Sequence, residues 1–249
     1  KTEFLAEADY LDDSRVPDFG AGIINYQVIE DFPRERFLGV KWGNVSSKQL
    51  STTGTLTHRF SDNWKFALTS TYRDSEQALF TNARPNTGAL IKADGLWTRN
   101  INKSETFDNY YIVQGDLTGN FKTGIIKHDV LVGFDTDHFA QKTQNYTALN
   151  AYDKISVLED LPANVRNDVP TMTKSTFSSN PTDRYGFYIQ DLISLTEKLK
   201  VLAGVRYTNQ KSESNVTAAD GKVTTTTTPA DGAFSPRVGV VYQPTKKLS

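Results

Sequence analysis

The sequence predicts an all-β fold, the antiparallel wall of a transmembrane β-barrel, and three observations carry that expectation. Strand-length segments alternate apolar and polar residues. Tight connections alternate with long ones, and aromatic residues gather at the segment ends. Around Tyr110 the alternation is plain: Tyr111, Val113, Leu117 and Phe121 fall on one face, and Gln114, Asp116, Thr118 and Asn120 on the other. Such a segment suits a wall between lipid and a wet lumen. Most segments also exceed the roughly 5–6 residues of an ordinary strand, whereas a tilted membrane span needs about 9–11.

About eight strands follow from this pattern. The first, Thr2–Leu11, sets Phe4, Ala6, Ala8 and Tyr10 against Glu7 and Asp9. An irregular stretch rich in Gly, Pro and charge, Asp12–Lys48, leads to Gln49–Phe60, where Leu50, Leu56 and Phe60 oppose Ser51, Thr53, Thr55, Thr57 and Arg59. Ser61–Asn63 has the composition of a tight turn, and Trp64–Glu76 follows with Trp64, Phe66, Leu68 and Tyr72 on its apolar side. A second long connection, Gln77–Glu105, precedes a strand over Thr106–Phe121 and a turn at Lys122–Gly124. In Lys127–Thr143, Val130, Val132, Phe134 and Thr136 oppose Asp129, Asp135 and Asp137. Gln144–Thr182 is the longest connection, with room for a short helical turn within Ile155–Val165. Asp183–Leu195 carries Tyr185, Phe187, Ile189 and Ile193 on one face, and places Asp191 on that apolar parity, at a bulge or at the membrane rim. After the Thr196–Lys198 turn come Leu199–Lys211, a loop over Ser212–Gly232 with threonines at 224–228, and a last strand, Ala233–Gln243.

Composition narrows the function. The 249 residues carry a formal charge of −1, which argues against a nucleic-acid partner. Cysteine is absent, so thiol and disulfide chemistry are excluded within these residues. No apolar run reaches the about 18 residues of a spanning helix, a result that leaves barrels untouched. No nucleophile elbow, phosphate-binding loop or zinc-protease motif occurs, so no enzymatic activity is expected. His58, His128 and His138 lie on different strands without ligand spacing, and no metal site is expected of them. The opening Lys1–Phe4 is no signal peptide, and the chain reads as an internal piece of a longer protein. A soluble carbohydrate-binding β-sandwich would alternate similarly. Against it stand the segment lengths, the end-loaded aromatics (Tyr10, Phe60, Trp64, Phe121, Tyr185, Tyr207 and Tyr242), and the charges Glu7, Asp9, Asp116, Asp129, Arg206 and Arg237 on the inner face.

Specific phrases go further than the period. Asp-Arg-Tyr-Gly-Phe-Tyr-Ile-Gln-Asp at 183–191, Leu-Lys-Val-Leu-Ala-Gly-Val-Arg-Tyr at 199–207 and above all Phe-Ser-Pro-Arg-Val-Gly at 234–239 resemble the barrel of TonB-dependent siderophore receptors. Tyr10–Asp13 and Pro33–Gly39 look like that family's first large loop, and His58–Trp64 and Ile126–Gly133 like its turn-flanking strands. The resemblance spans the chain. It implies that residues 1–249 form a partial sector of a barrel of about 22 strands, without its plug domain and remaining strands. It also implies a receptor in the outer membrane of a Gram-negative-type bacterium, contacting outer-membrane lipid and its own plug. Such a receptor imports ferric siderophore with energy from TonB, which it meets through an N-terminal region. The iron is cargo, so no resident cofactor is implied. A passive porin or another outer-membrane barrel is the alternative.

A siderophore's iron arrives already ligated, so a receptor needs contact surface and hydrogen bonds rather than metal ligands. Phe19, Tyr26, Phe32, Arg34 and Trp42 in the first long connection, and Phe80, Arg84 and Trp97 in the second, are the candidate substrate-binding residues. One buried aromatic of about 150–250 Å², at about 25 cal/mol/Å², offers a gross 4–6 kcal/mol before ordering costs. Inner-face charges such as Asp9, Asp116, Asp129, Arg206 and Arg237 are expected to contact a plug or to pair along the wall.

Overall fold

The computed structural model describes residues 1–21, 23–28, 32–87 and 90–244. They form one antiparallel sheet from β1 (Thr2–Arg15), β4 (Asn44–Arg59), β5 (Trp64–Asn82), β6 (Leu96–Thr123), β7 (Ile126–Tyr146), β9 (Lys174–Ser194), β10 (Leu199–Thr217) and β11 (Val223–Tyr242), in that order. The short β8 (Leu149–Ser156) adds to β6, and β2 (Ile23–Ile24) pairs with β3 (Gln27–Val28) by itself. Among the described residues β1 and β11 do not pair with each other, so the sheet is an open sector.

Pairing keeps the alternation in phase across the sheet. One row runs Phe4–Leu56–Leu68–Gly115–Phe134–Phe187–Tyr207–Phe234, all on the apolar face. The adjacent row, Leu5–Thr55–Thr69–Gln114–Asp135–Gly186–Thr208–Ala233, belongs to the polar face. Phe4, Phe187, Ile189, Phe234, Val238 and Val240 stay more than half exposed, as a face that meets lipid requires.

The upper aromatics show that the strands are tilted. Tyr10 shares a row with Leu50 and Asp74, and that row reaches Pro181 on β9. Tyr72 and Tyr111 lie one outward position lower, Tyr185 two lower, and Tyr207 (opposite Phe187) three lower. The girdle thus slips about one residue per strand, about 3.4 Å along for every 4.8 Å across, which is a tilt of ~35°. On β7 the outward His128 and His138 are ten residues apart, ~34 Å along the strand or ~28 Å along the membrane normal. That matches an apolar band of about 25–30 Å.

Both histidines bind carboxylates at the edges of this band. His128 Nδ1 meets Asp191 at 2.6 Å and stacks on Phe121, and His138 Nδ1 meets Asp183 at 2.6 Å and stacks on Tyr111. Asp191 pairs in unbroken register with Val130 and Ala203, so it marks the rim and not a bulge.

On the polar face several of the charges pair along the wall, while Glu7 and Asp9 form no such pair among the described residues. Arg206 forks onto Asp135 at 2.7 and 2.8 Å, Arg184 donates to Asp137 at 3.0 Å, and the Tyr188 hydroxyl donates to Asp116. Lys127 reaches Asp129 at 3.1 Å, and Arg237 donates weakly to Gln190 at 3.4 Å. Two glycines make this possible. A Cβ on Gly133 would strike the Tyr188 ring, and one on Gly186 would strike the Arg206 guanidinium.

The long connections are shorter than the pattern implied. Phe80 and Trp97, expected in a loop over Gln77–Glu105, lie instead in β5 and β6, which end at Asn82 and begin at Leu96. Gln144–Thr182 contains β8 and the start of β9, and Ile155–Val165 holds only the Val165-to-Pro162 turn instead of a helical one. Ser212–Gly232 is a hairpin: Thr224–Thr228 pair with Val216–Ser212, and Gly221, at φ 83°, closes the turn. Beyond the membrane both faces of a strand are hydrated, so the alternation fades while the ladder continues. The tight turns at 60–63, 124–125 and 195–198 all lie at the opposite end.

Candidate functional site

Above the band, the three long connections fold onto one another. Ala21, Ile24, Leu38, Ile91, Trp97, Ile155 and Val157 make one apolar cluster, which Phe32, Leu161 and Val165 flank. Val40, Ile101 and Tyr152 make a second, flanked by Trp42, Phe80, Leu149 and Met172. Each cluster draws from connections far apart in sequence, so together they form a cap.

An ion pair locks the cap at its centre. The Arg99 side chain is 1% exposed and Asp153 12%. Arg99 donates from Nε to Asp153 Oδ1 at 2.7 Å and from Nη2 to Oδ2, and its Nη1 reaches the carbonyls of Leu38 and Gly39 at 3.1 and 2.7 Å. One guanidinium therefore joins β6, β8 and the first long connection. Asn82 seconds it: its Oδ1 accepts from Val40 N at 3.1 Å and its Nδ2 donates to the Ala83 carbonyl at 3.0 Å. Neither residue was a candidate, because a polar side chain in a presumed loop carries no sequence mark of burial.

A second strap crosses the outer part of the cap. Arg166 forks onto Asp168 at 2.7 and 2.9 Å, donates to the Tyr152 carbonyl at 2.6 Å and lies over the Tyr152 ring, while the Tyr152 hydroxyl donates to the Asp168 carbonyl at 2.7 Å. The hydrogen bonds from Arg166 hold the Asp168 carboxyl below its ordinary 3.8. A depressed carboxylate stabilises the fold above the unfolded value and loses that contribution as pH falls through the folded one. Acidification past 3.8 is therefore expected to loosen the strap, read as lower amide protection over 152–168 relative to the intrinsic exchange rate at each pH, with no such loss of protection between pH 5 and pH 7. Tyr146, above the band, has its phenol pushed up by burial and by the 3.0 Å hydrogen bond that it donates to Glu105.

The structure divides the eight candidates. Trp97 is 6% exposed and lies in the first cluster, so it offers a ligand no surface. Trp42 and Phe80 pack with ring centroids 4.9 Å apart, and Trp42 Nε1 donates to the Tyr152 hydroxyl at 3.3 Å. Phe80, Ile101 and Lys103 lie on the outward parity of β5 and β6, so this aromatic group sits on the side of the wall away from the polar face. Phe32 packs against the first cluster under Arg36. Tyr26, 86% exposed at the β2–β3 turn, and the exposed Arg34 project from the cap.

Phe19 and Arg84 are brought together, with the guanidinium carbon 5.3 Å from the ring centroid. They lie between two cavities, of about 630 and 340 Å³, and line both. The larger is also lined by Arg15, Val45, Leu79 and Asn102, which all occupy polar-face positions of β1, β4, β5 and β6. Of the candidates, then, this pair faces the lumenal mouth.

Comparison with known proteins agrees with this architecture. Residues 2–249 match the family model described as TonB dependent receptor-like, beta-barrel. The metal-pseudopaline receptor CntO of Pseudomonas aeruginosa is 25% identical over 256 residues, covering 99% of this chain and 35% of that protein. The ferrioxamine receptor of Yersinia enterocolitica is 25% identical over 177 residues, 70% of this chain and 23% of that one. Among solved structures, the siderophore receptor PiuA of Acinetobacter baumannii superposes with a TM-score of 0.80 at 19% identity, over 98% of this chain and 38% of that one. The open form of the ferric-catecholate import receptor Fiu of E. coli K12 gives 0.75 at 18%, over 98% and 42%. The chain thus spans about a third of the length of such relatives. Its polar face is a lumen wall and its apolar face meets the outer membrane. A single-sheet wall of this type replaces the sandwich reading, and the family is one of receptors and not of enzymes. The chain belongs to the TonB-dependent receptor-like β-barrel family.

Proposed function

We propose that the protein to which this wall belongs binds a ferric siderophore at its extracellular face and imports it with energy relayed by TonB. The match over residues 2–249 carries the reading. The cap supports it, because it covers the extracellular end with ordered contact surface while the periplasmic turns stay short. A plug domain fills the lumen in this reading, facing the polar rows. TonB contacts a segment outside these residues, and the chemistry is binding and release rather than bond-making.

Uptake tests this directly. Cells lacking other iron receptors and carrying the full-length protein are expected to accumulate radioiron from a panel of ferric siderophores, saturably and only with TonB present. Accumulation that is linear in concentration and indifferent to TonB would mean a passive pore.

A further inference from the structure

The cavities that flank Phe19 and Arg84 are unevenly charged. Asp18 is the one acid lining the larger cavity among the described residues, and it is committed: Oδ1 accepts from Gly20 N at 3.0 Å and Oδ2 from Leu38 N at 3.3 Å. Arg15 is committed too, to Asp13 at 2.5 Å. Arg84 is exposed and forms no ion pair among the described residues, and Phe19 supports its guanidinium. A guanidinium held over a ring keeps its N–H edge free, and that edge matches a planar pair of oxyanion atoms better than an ammonium does. The larger cavity, of about 630 Å³, suits a compact chelate.

We propose that the Phe19–Arg84 pair at the lumenal mouth is an oxyanion-recognition platform, and that this receptor's substrate is a net-anionic ferric chelate. This rests on the receptor reading above and narrows it. The anionic oxygens come from carboxylates or from catecholates, and Arg84 serves either. A hydroxamate chelate, neutral or cationic, gives it nothing to hold. The aromatic group of Trp42, Phe80 and Tyr152, on the outward side, then shapes the cap without touching the ligand.

The test uses the purified full-length receptor in detergent, titrated separately with ferric citrate, a ferric tris-catecholate and ferrioxamine B. An anionic chelate is expected to bind the wild type more tightly than ferrioxamine B, and to weaken several-fold as NaCl rises from about 50 to about 300 mM, where screening shortens the range of charge. Which anionic chelate binds separates carboxylate from catecholate recognition. Arg84→Ala is expected to weaken that chelate at least tenfold and ferrioxamine B less than twofold, with Arg84→Lys between. Retained heat-modifiable mobility on gels shows that each variant is folded. Equal losses for all probes, no loss for the anionic ones, or preference for ferrioxamine B would overturn the platform and leave the receptor reading standing. If the wild type binds none of the three, and the uptake panel is also negative, both fall.

Discussion

Replacing Asp153 by alanine is expected to release the extracellular cap while leaving the membrane wall folded. The Arg99 guanidinium has almost no solvent contact, and Asp153 supplies its compensating charge through two hydrogen bonds. Removing one partner of a buried pair strands the other and costs about 3–5 kcal/mol. That loss falls where three distant segments meet, since Arg99 also holds the Leu38 and Gly39 carbonyls. Proteolytic nicking over 16–43 and 157–173 is expected to quicken, and amides of β8 to exchange faster, with spans β4 to β7 still protected. The double replacement Arg99→Met with Asp153→Leu is expected to do less damage than Asp153→Ala, because it removes both charges at similar volume. If Asp153→Ala left loop protection unchanged, Arg99 would not be the lock.

Phe134→Arg is expected to destabilise the wall by about 2–4 kcal/mol, the depth-dependent cost of a cation near the bilayer midplane. Phe134 lies on the outward face of β7, between the rim residues His128 and His138. Thr57→Arg, on the lumenal face opposite Glu3, should stay within about 0.5 kcal/mol of wild type. Equilibrium folding of the full-length receptor into lipid vesicles, followed in urea, measures both. Equal effects would mean that the two faces are assigned the wrong way round.

How much of this was legible in the sequence depended on the environment of each segment. Between lipid and lumen, every second residue meets hydrocarbon, so Phe66, Leu68, Val132 and Ile189 announce their face without any knowledge of partners. Tyr10, Tyr185 and Tyr207 stand out in the sequence as strand-end aromatics, whereas the place of Tyr72 and Tyr111 in the same girdle, and its slant, emerge only from the register. Above the membrane the signal failed. Lys103 and Ser104, or Thr224–Thr228, read as loop because water lies on both sides, yet their backbones continue the ladder.

The candidate site was legible as a region and not as a set of contacts. Aromatic and arginine residues in the first two long connections did mark the extracellular end. Their sorting rests on tertiary contacts, because whether Trp97 fills a core or meets solvent depends on Ile155 and Val157, about 60 residues away in the chain. The pairing of Phe19 with Arg84 likewise joins two connections on different strands. The sequence by itself determined the wall: its strand type, its two faces and its family, because a bilayer imposes a local, period-two pattern on each span. Only the tertiary structure decided the cap, the Arg99–Asp153 lock and the side of the wall on which each aromatic lies, because those rest on contacts between distant segments that no local pattern encodes.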